Sequence, residues 1–506
     1  MKKVALDSIL PQDSNQQLFD RLVEDTVGLN VEYRLADGRK TRRTYLDNAA
    51  STLQLGVVKK ALENYLPYYS NTHTTVHFGG QLSNCVYQWA HDEVLRFVNA
   101  DAENYACFFL GSGTTAGLNR VANTLKESRP DRDVVITSIM EHHSNDLPHR
   151  RHFKEVVHVP AVSVDNKLGC VDLDRLEQEL VRYARRVNYI SLTGVSNVTG
   201  VINPIHEIAR LAHRYDTLLV VDAAHMGAHV PIQVSVPSDT NSNIDVLVLS
   251  GHKMYAPGSP GVVVTRKDLF LKGEPVEVGG GMVEDVHINH YLPVTKFPDR
   301  EEAGTPNIVG AVALATAVYA LRKIGMREIE ARDHQLINYA LETLKQVDRL
   351  IIYGETDQNL CKRAGAVSFN IEQMDHGLVA AVLNDYFNIS VRNACFCAHP
   401  YVREMITDNL SEIAGSLSDA ELEALAEMHR GMVRASVAIY NTTKDIDDLG
   451  NALNKISRQR DFYEKQYARL ASGDYEHKTF KFEHQKLFSI EHVVDTWLNE
   501  EIKTSS

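Results

Sequence analysis

Val246-Leu247-Val248-Leu249 runs directly into Ser250-Gly251-His252-Lys253-Met254-Tyr255-Ala256-Pro257-Gly258, and the reading of this stretch decides the architecture. The apolar, β-branched run reads as a strand buried on both faces, and the small and polar residues after it read as a loop. Lys253 then stands at the C-terminal end of a parallel strand, where open α/β sheets place their ligand crevice. Such a position suits a lysine that forms a Schiff base. The same nonapeptide also reads as a surface lysine in a glycine-rich turn, so the neighbouring segments have to arbitrate.

Working outward, the pattern repeats. Leu218-Leu219-Val220-Val221 ends in Asp222-Ala223-Ala224-His225, and a carboxylate after four apolar strand residues is costly to bury unless it meets a positive partner such as a protonated ring nitrogen. Tyr189-Ile190-Ser191-Leu192 leads to the loop Ser196 to Gly200 and a helix around Ile205 to His213. Val134-Val135-Ile136-Thr137 delivers Glu141-His142-His143-Ser144-Asn145 to the same sheet edge. Ala106 to Leu110 precedes Gly111-Ser112-Gly113-Thr114-Thr115, a turn opening a helix, where free N–H groups, hydroxyls and the helix dipole form a phosphate cradle. It is not a P-loop, because no Gly-Lys-Ser/Thr follows, and the acidic residue of a dinucleotide fingerprint is not evident. His142 and His143, with His149 and His152 nearby, have no recognised metal-ligand spacing, and an aromatic ring lying over a flat cofactor suits a strand-end histidine better. Strands alternating with helices over this span predict a mostly parallel α/β sheet.

At 506 residues the chain exceeds the roughly 250–300 at which one core stops growing, so two domains with additions are expected. The reading divides it into an N-terminal arm (1–44, helix then hairpin), a large domain (45–307), a small α+β domain (308–460) with an inserted segment near 401–430, and a helical C-terminal extension (461–506). A formal charge of −13 argues against nucleic acid or an anionic membrane as the main partner. Six cysteines in so long a chain do not make a disulfide scaffold, which points to a reducing compartment. With neither a signal-type stretch nor a run of about eighteen apolar residues, the expected location is the cytoplasm.

In the second half, chemistry concentrates in Val391-Arg392-Asn393-Ala394-Cys395-Phe396-Cys397-Ala398-His399-Pro400 and around Arg434. With Gly-Thr-Thr, Glu-His-His, Asp-Ala-Ala-His, Ser-Gly-His-Lys and Glu-Ala-Gly-Thr-Pro-Asn in that order, the chain resembles the class V aminotransferase family of pyridoxal-phosphate (PLP) enzymes of fold type I. Within it the chain is most similar to group II cysteine desulfurases and selenocysteine lyases, whose Arg-x-Gly-His-His-Cys-Ala-x-Pro pattern aligns with residues 392 to 400. The resemblance implies that Lys253 carries the cofactor, His142 stacks on its ring and Asp222 pairs with the ring nitrogen beside His225. Thr115, Ser250 and His252 would hold the phosphate with the backbone at Gly113 and Thr114. Thr305 would reach the partner's phosphate in a homodimer. Arg434, assisted by Asn197 and Arg392, would grip the substrate carboxylate. Cys397 would take sulfur from L-cysteine, or selenium from L-selenocysteine, for transfer to an acceptor protein.

Against that pattern, Ala394, Cys395 and Phe396 replace Gly-His-His, and 37 residues separate Cys397 from Arg434, with Ser411 to His429 reading as inserted helix. His225 stands where desulfurases commonly carry glutamine. Cys395 reads either as a second sulfur station, as half of a reversible disulfide or as a small buried apolar residue. Two alternatives stay open: an epimerase, aminotransferase or lyase in which Cys397 only packs, and a catalytically idle binding protein of the same fold.

Overall fold

Alternate residues of the buried strands point to opposite faces, and each face finds its own cover. The computed structural model describes residues 12–165, 167–414 and 430–504. Its central sheet contains β1 (Tyr105–Leu110), β2 (Val134–Ser138), β3 (Glu155–Val159), β4 (Val187–Thr193), β5 (Leu218–Asp222), β6 (Val246–Ser250) and β7 (Gly261–Arg266). The order is β1-β7-β6-β5-β4-β2-β3. The sheet is mixed but mostly parallel, as expected, with β7 antiparallel to both neighbours. The short link from β6 to β7 leaves no room for the crossover a parallel strand needs.

Phe108, Val135, Tyr189, Val220, Val246 and Val248 face one side of the sheet, under the helix Gly113–Ser128 (α1). Phe109, Ile136, Ile190, Val221, Leu247 and Leu249 face the other, joining the helix Ile308–Ile324 (α2). Helix α1 sits close because of Gly117, where a Cβ would meet Val248 Cγ1 at 2.5 Å and Val263 Cγ2 at 3.0 Å. Its N-terminus is thereby held against the ends of β6 and β7.

A second, antiparallel sheet of β8 (Leu350–Ile352), β9 (Ala366–Ile371), β10 (Arg392–Ala394) and β11 (Met432–Ser436) has the order β8-β9-β11-β10. It has its own core of residues such as Ile337, Phe369, Val379 and Leu449. Two ties bring this sheet to the first. Thr44–Tyr45 pairs in parallel with Ile389–Ser390, and Asp47 bridges to Ser436, so the segment 44–50 runs between the sheets. The fully buried Arg363 donates to the carbonyls of Thr199, Tyr353 and Glu355.

Three details differ from or add to the sequence reading. The C-terminal extension is not all helix: Tyr467–Arg469 and Tyr475–His477 form an antiparallel hairpin before the helix Ile490–Thr504, with Gly473 taking the positive φ of 91° in its turn. Cys170 and Cys361 are joined in a disulfide across 191 residues, a pairing that spacing could not suggest. The segment expected as an insertion near 401–430 begins in the helix His399–Ala414, and residues 415–429 lie outside the described residues, as do 1–11 of the N-terminal arm. The described part of the arm is a helix (Gln12–Glu24) and a hairpin (Glu32–Arg34 with Lys40–Arg42) turning at Asp37-Gly38. Among the described residues no single helix is long and apolar enough to cross a membrane.

Candidate active site

The ends of β2, β4, β5 and β6 and the start of α1 form one wall of a cavity of about 330 Å³, and the residues following β10 and within β11 form the other. Of the residues singled out from sequence, Thr114, Thr115, His142, Asn197, Asp222, His225, Ser250, His252, Lys253, Arg392, Cys397 and Arg434 all line it. Gly113 lies just behind, and Thr305 lies outside the lining, exposed, its hydroxyl accepting a hydrogen bond from Asn71 Nδ2 at 3.2 Å.

At the start of α1, Gly113 adopts φ 59°, and a Cβ there would meet Ser250 Oγ at 2.8 Å. The Ser250 hydroxyl accepts from Thr114 N at 2.9 Å and shares a hydrogen bond with Thr114 Oγ1 at 2.7 Å. Thr115 Oγ1 and Ser144 Oγ are 2.6 Å apart, and Ser144 also bonds His142 Nδ1 at 3.0 Å. The result is a concave set of hydroxyls and N–H groups at the positive end of a sixteen-residue helix. Ser144 joins it through Thr115 and is tied in turn to His142, a link the linear motif only hints at.

Deeper in, burial controls the charges. Asp222 is buried, with Ala224 N donating to it at 2.9 Å; burial raises its pKa, opposed by that N–H and by Lys253. Burial lowers the Lys253 amine to about 8, with Asp222 pulling the other way. His142 is pushed down to about 4 by burial and then by Lys253, so its ring is neutral near pH 7. Burial also keeps His225 neutral, beside His229, which bonds Asp333 at 2.9 Å. A deprotonable amine, a buried carboxylate with one backbone donor, a neutral imidazole and a hydroxyl cradle together fit an aromatic aldehyde bearing a ring nitrogen and a phosphate.

The opposite wall carries a buried cation. Arg434 is buried; its Nη1 donates to Asn197 O at 2.8 Å, and its Nε has no hydrogen-bond partner among the described residues. Its guanidinium lies 4.7 Å from the Phe396 ring centroid, and burial lowers its pKa to about 10. A buried cation that lines a cavity and keeps one donor unpartnered suits a carboxylate ligand. Phe396, in the stretch quoted around Cys397, and Asp47, which the segment 44–50 brings beside the arginines, are neighbours that motif reading passed over.

Cys397 is exposed at the cavity mouth. Its carbonyl accepts from His143 N at 2.7 Å, and Asn197 Nδ2 donates to Phe396 O at 2.9 Å, which pins the loop to the first wall. His399 Nδ1 and His143 Nε2 lie 3.0 Å apart with their rings stacked, so the histidine two residues beyond the thiol is paired with the second histidine of Glu141-His142-His143.

Residues 44–449 match the family model described as Aminotransferase class-V. The chain belongs to that family. A probable cysteine desulfurase of Halalkalibacterium halodurans is 33% identical over 81% of this chain and 92% of its own length, and one of Pyrococcus abyssi is 31% identical over 81% and 94%. Among solved structures, the apo cysteine desulfurase of Thermococcus onnurineus superimposes with a TM-score of 0.70 at 29% identity, over 82% of this chain and 95% of the other. A cysteine desulfurase of Escherichia coli does so at 0.66 and 26%, over 82% and 94%. As a member of the class-V family the chain has an α/β fold of PLP type I, and the match to the family model stops short of its C-terminal extension.

Proposed function

We propose that this chain is a PLP-dependent cysteine desulfurase, converting L-cysteine or L-selenocysteine to L-alanine with the chalcogen held on Cys397 for an acceptor. The observation that carries the reading is the presence of Cys397, Lys253, Asp222 and Arg434 around one cavity. Bound there, PLP supplies an electron sink for the pair released at the substrate α-carbon.

The chain's own groups do the rest. Arg434, with Arg392 and Asn197, holds the substrate carboxylate in a two-pronged grip that a lysine could not supply. Asp222 offers a buried anion to a ring N–H, and His142 offers a neutral ring face. Ser250, Thr114, Thr115 and His252 surround a phosphate. The Lys253 amine, with its pKa near 8, is available as a base for the substrate α-proton near neutral pH. Cys397 Sγ attacks the substrate sulfur; the new S–S bond forms as the Cβ–S bond breaks, its electron pair stays on carbon, and a proton there completes alanine.

The reading includes a homodimer. Thr305 lies beside the segment 71–78, which carries Val76 and Phe78, each 89% exposed, and such a patch next to an exposed site residue suits a second copy. The decisive assay incubates the PLP-loaded enzyme with L-cysteine under reductant. Wild type should release alanine and sulfide in equal amounts, and Cys397→Ser should lose both while keeping the cofactor's visible absorbance. Equal turnover by Cys397→Ser would assign the site to another class V reaction.

A further inference from the structure

Residues 395–398 close a tight turn in which Ala398 N donates to Cys395 O at 2.8 Å. Both central residues are left-handed, Phe396 at φ 50° and Cys397 at φ 56°. Two Cα–Cα steps of about 3.8 Å folded into such a turn bring its first and third residues to about 5–6 Å, within the reach of paired cysteine sulfurs. The turn is fastened at its middle, where Phe396 O accepts from Asn197 and the Phe396 ring lies against Arg434.

The two thiols face different surroundings. Cys397 lines the cavity, whereas Cys395 is half-buried outside the lining, with its Sγ donating to Arg430 O at 2.9 Å. Burial raises the Cys395 pKa, so it stays a thiol while Cys397 meets the substrate.

We propose that Cys395 is a second sulfur station, to which the outer sulfur of the Cys397 persulfide is passed. This rests on the reading of Cys397 as the persulfide carrier. Cys395 Sγ attacks the outer sulfur and a new S–S bond forms there. The bond to Cys397 breaks with its electron pair on Cys397 Sγ, which takes up a proton as Cys395 gives one up. One thiol and one persulfide become one persulfide and one thiol, with no net oxidation. Cys397 is then free for a second turnover before any acceptor arrives.

The test uses the PLP-loaded full chain with L-cysteine in small molar excess and no other thiol or acceptor, rapidly quenched so that the alanine formed per subunit is counted in the initial burst, before free cysteine can strip the persulfide. Wild type should form two, Cys395→Ser and Cys395→Ala one, and Cys397→Ser none. Alkylation and peptide mass analysis of wild type, which need no variant to fold, should find persulfide on both cysteines. One alanine per wild-type subunit with persulfide confined to Cys397 would overturn the relay and leave the role of Cys397 intact. So would a Cys395–Cys397 disulfide with release of hydrosulfide, or a burst of two in Cys395→Ser. A wild-type burst in Cys397→Ser would instead overturn the underlying reading.

Discussion

Asp47 Oδ2 lies 2.8 Å from Arg392 Nη2, and the same carboxylate reaches Arg434 Nη2 at 3.6 Å through Oδ1. Arg392 and Arg434 are direct cross-strand partners in β10 and β11, a like-charge pairing that needs an anion between them. In the proposed function, Asp47 and the substrate carboxylate share these two arginines. At a separation of several ångströms, removing one like charge is worth about 1 kcal/mol. Asp47→Asn should lower KM for L-cysteine roughly five-fold, measured by steady-state alanine release, and an increase would show that Asp47 chiefly orients the arginines. Arg434→Lys should raise KM at least about ten-fold, because a point charge cannot grip a carboxylate with two bonds.

The buried lysine makes stability depend on pH. Its amine falls from 10.5 in the unfolded chain to about 8 in the folded one. Between those values the unfolded chain binds more protons, so cofactor-free protein gains stability as pH rises from 8 to 10.5. Below pH 8 it carries the whole cost, about 3 kcal/mol. Lys253→Met should raise the urea midpoint of the cofactor-free protein at pH 7 and flatten the curve above pH 8. Parallel pH profiles for both proteins would place the amine in contact with water.

Gly117 sets the distance between α1 and the sheet. A methyl group there meets Val248 Cγ1 at 2.5 Å, so Gly117→Ala should cost about 1–3 kcal/mol by overpacking. Because the proposed phosphate cradle lies at the N-terminus of α1, PLP affinity should fall as well, read by absorbance titration. A variant that is destabilised but binds PLP normally would show that the helix end is held independently.

The disulfide links the hairpin strand Lys167–Val171 to the loop containing Arg363, which supports Thr199 and the Asn197 loop. Cys361→Ser should reduce the unfolding free energy by about 2–4 kcal/mol under non-oxidising, reductant-free conditions. Dithiothreitol should bring wild type to the same value. No effect of either would mean that hydrogen bonds alone hold this loop.

The sequence by itself determined the sheet and most of the first wall of the site. Parallel strands covered on both faces appear as unbroken apolar runs, and the polar residues at their C-terminal ends, Thr115, His142, Asp222 and Lys253, stand out for that reason. Only the tertiary structure decided what surrounds them. Asp47 between two arginines, His143 stacked on His399 and Cys170 bonded to Cys361 each join segments far apart in the chain, and no local pattern records such contacts. The left-handed turn at Phe396 and Cys397 is likewise set by Asn197 and Arg434 gripping it from elsewhere, since neither residue favours that conformation alone.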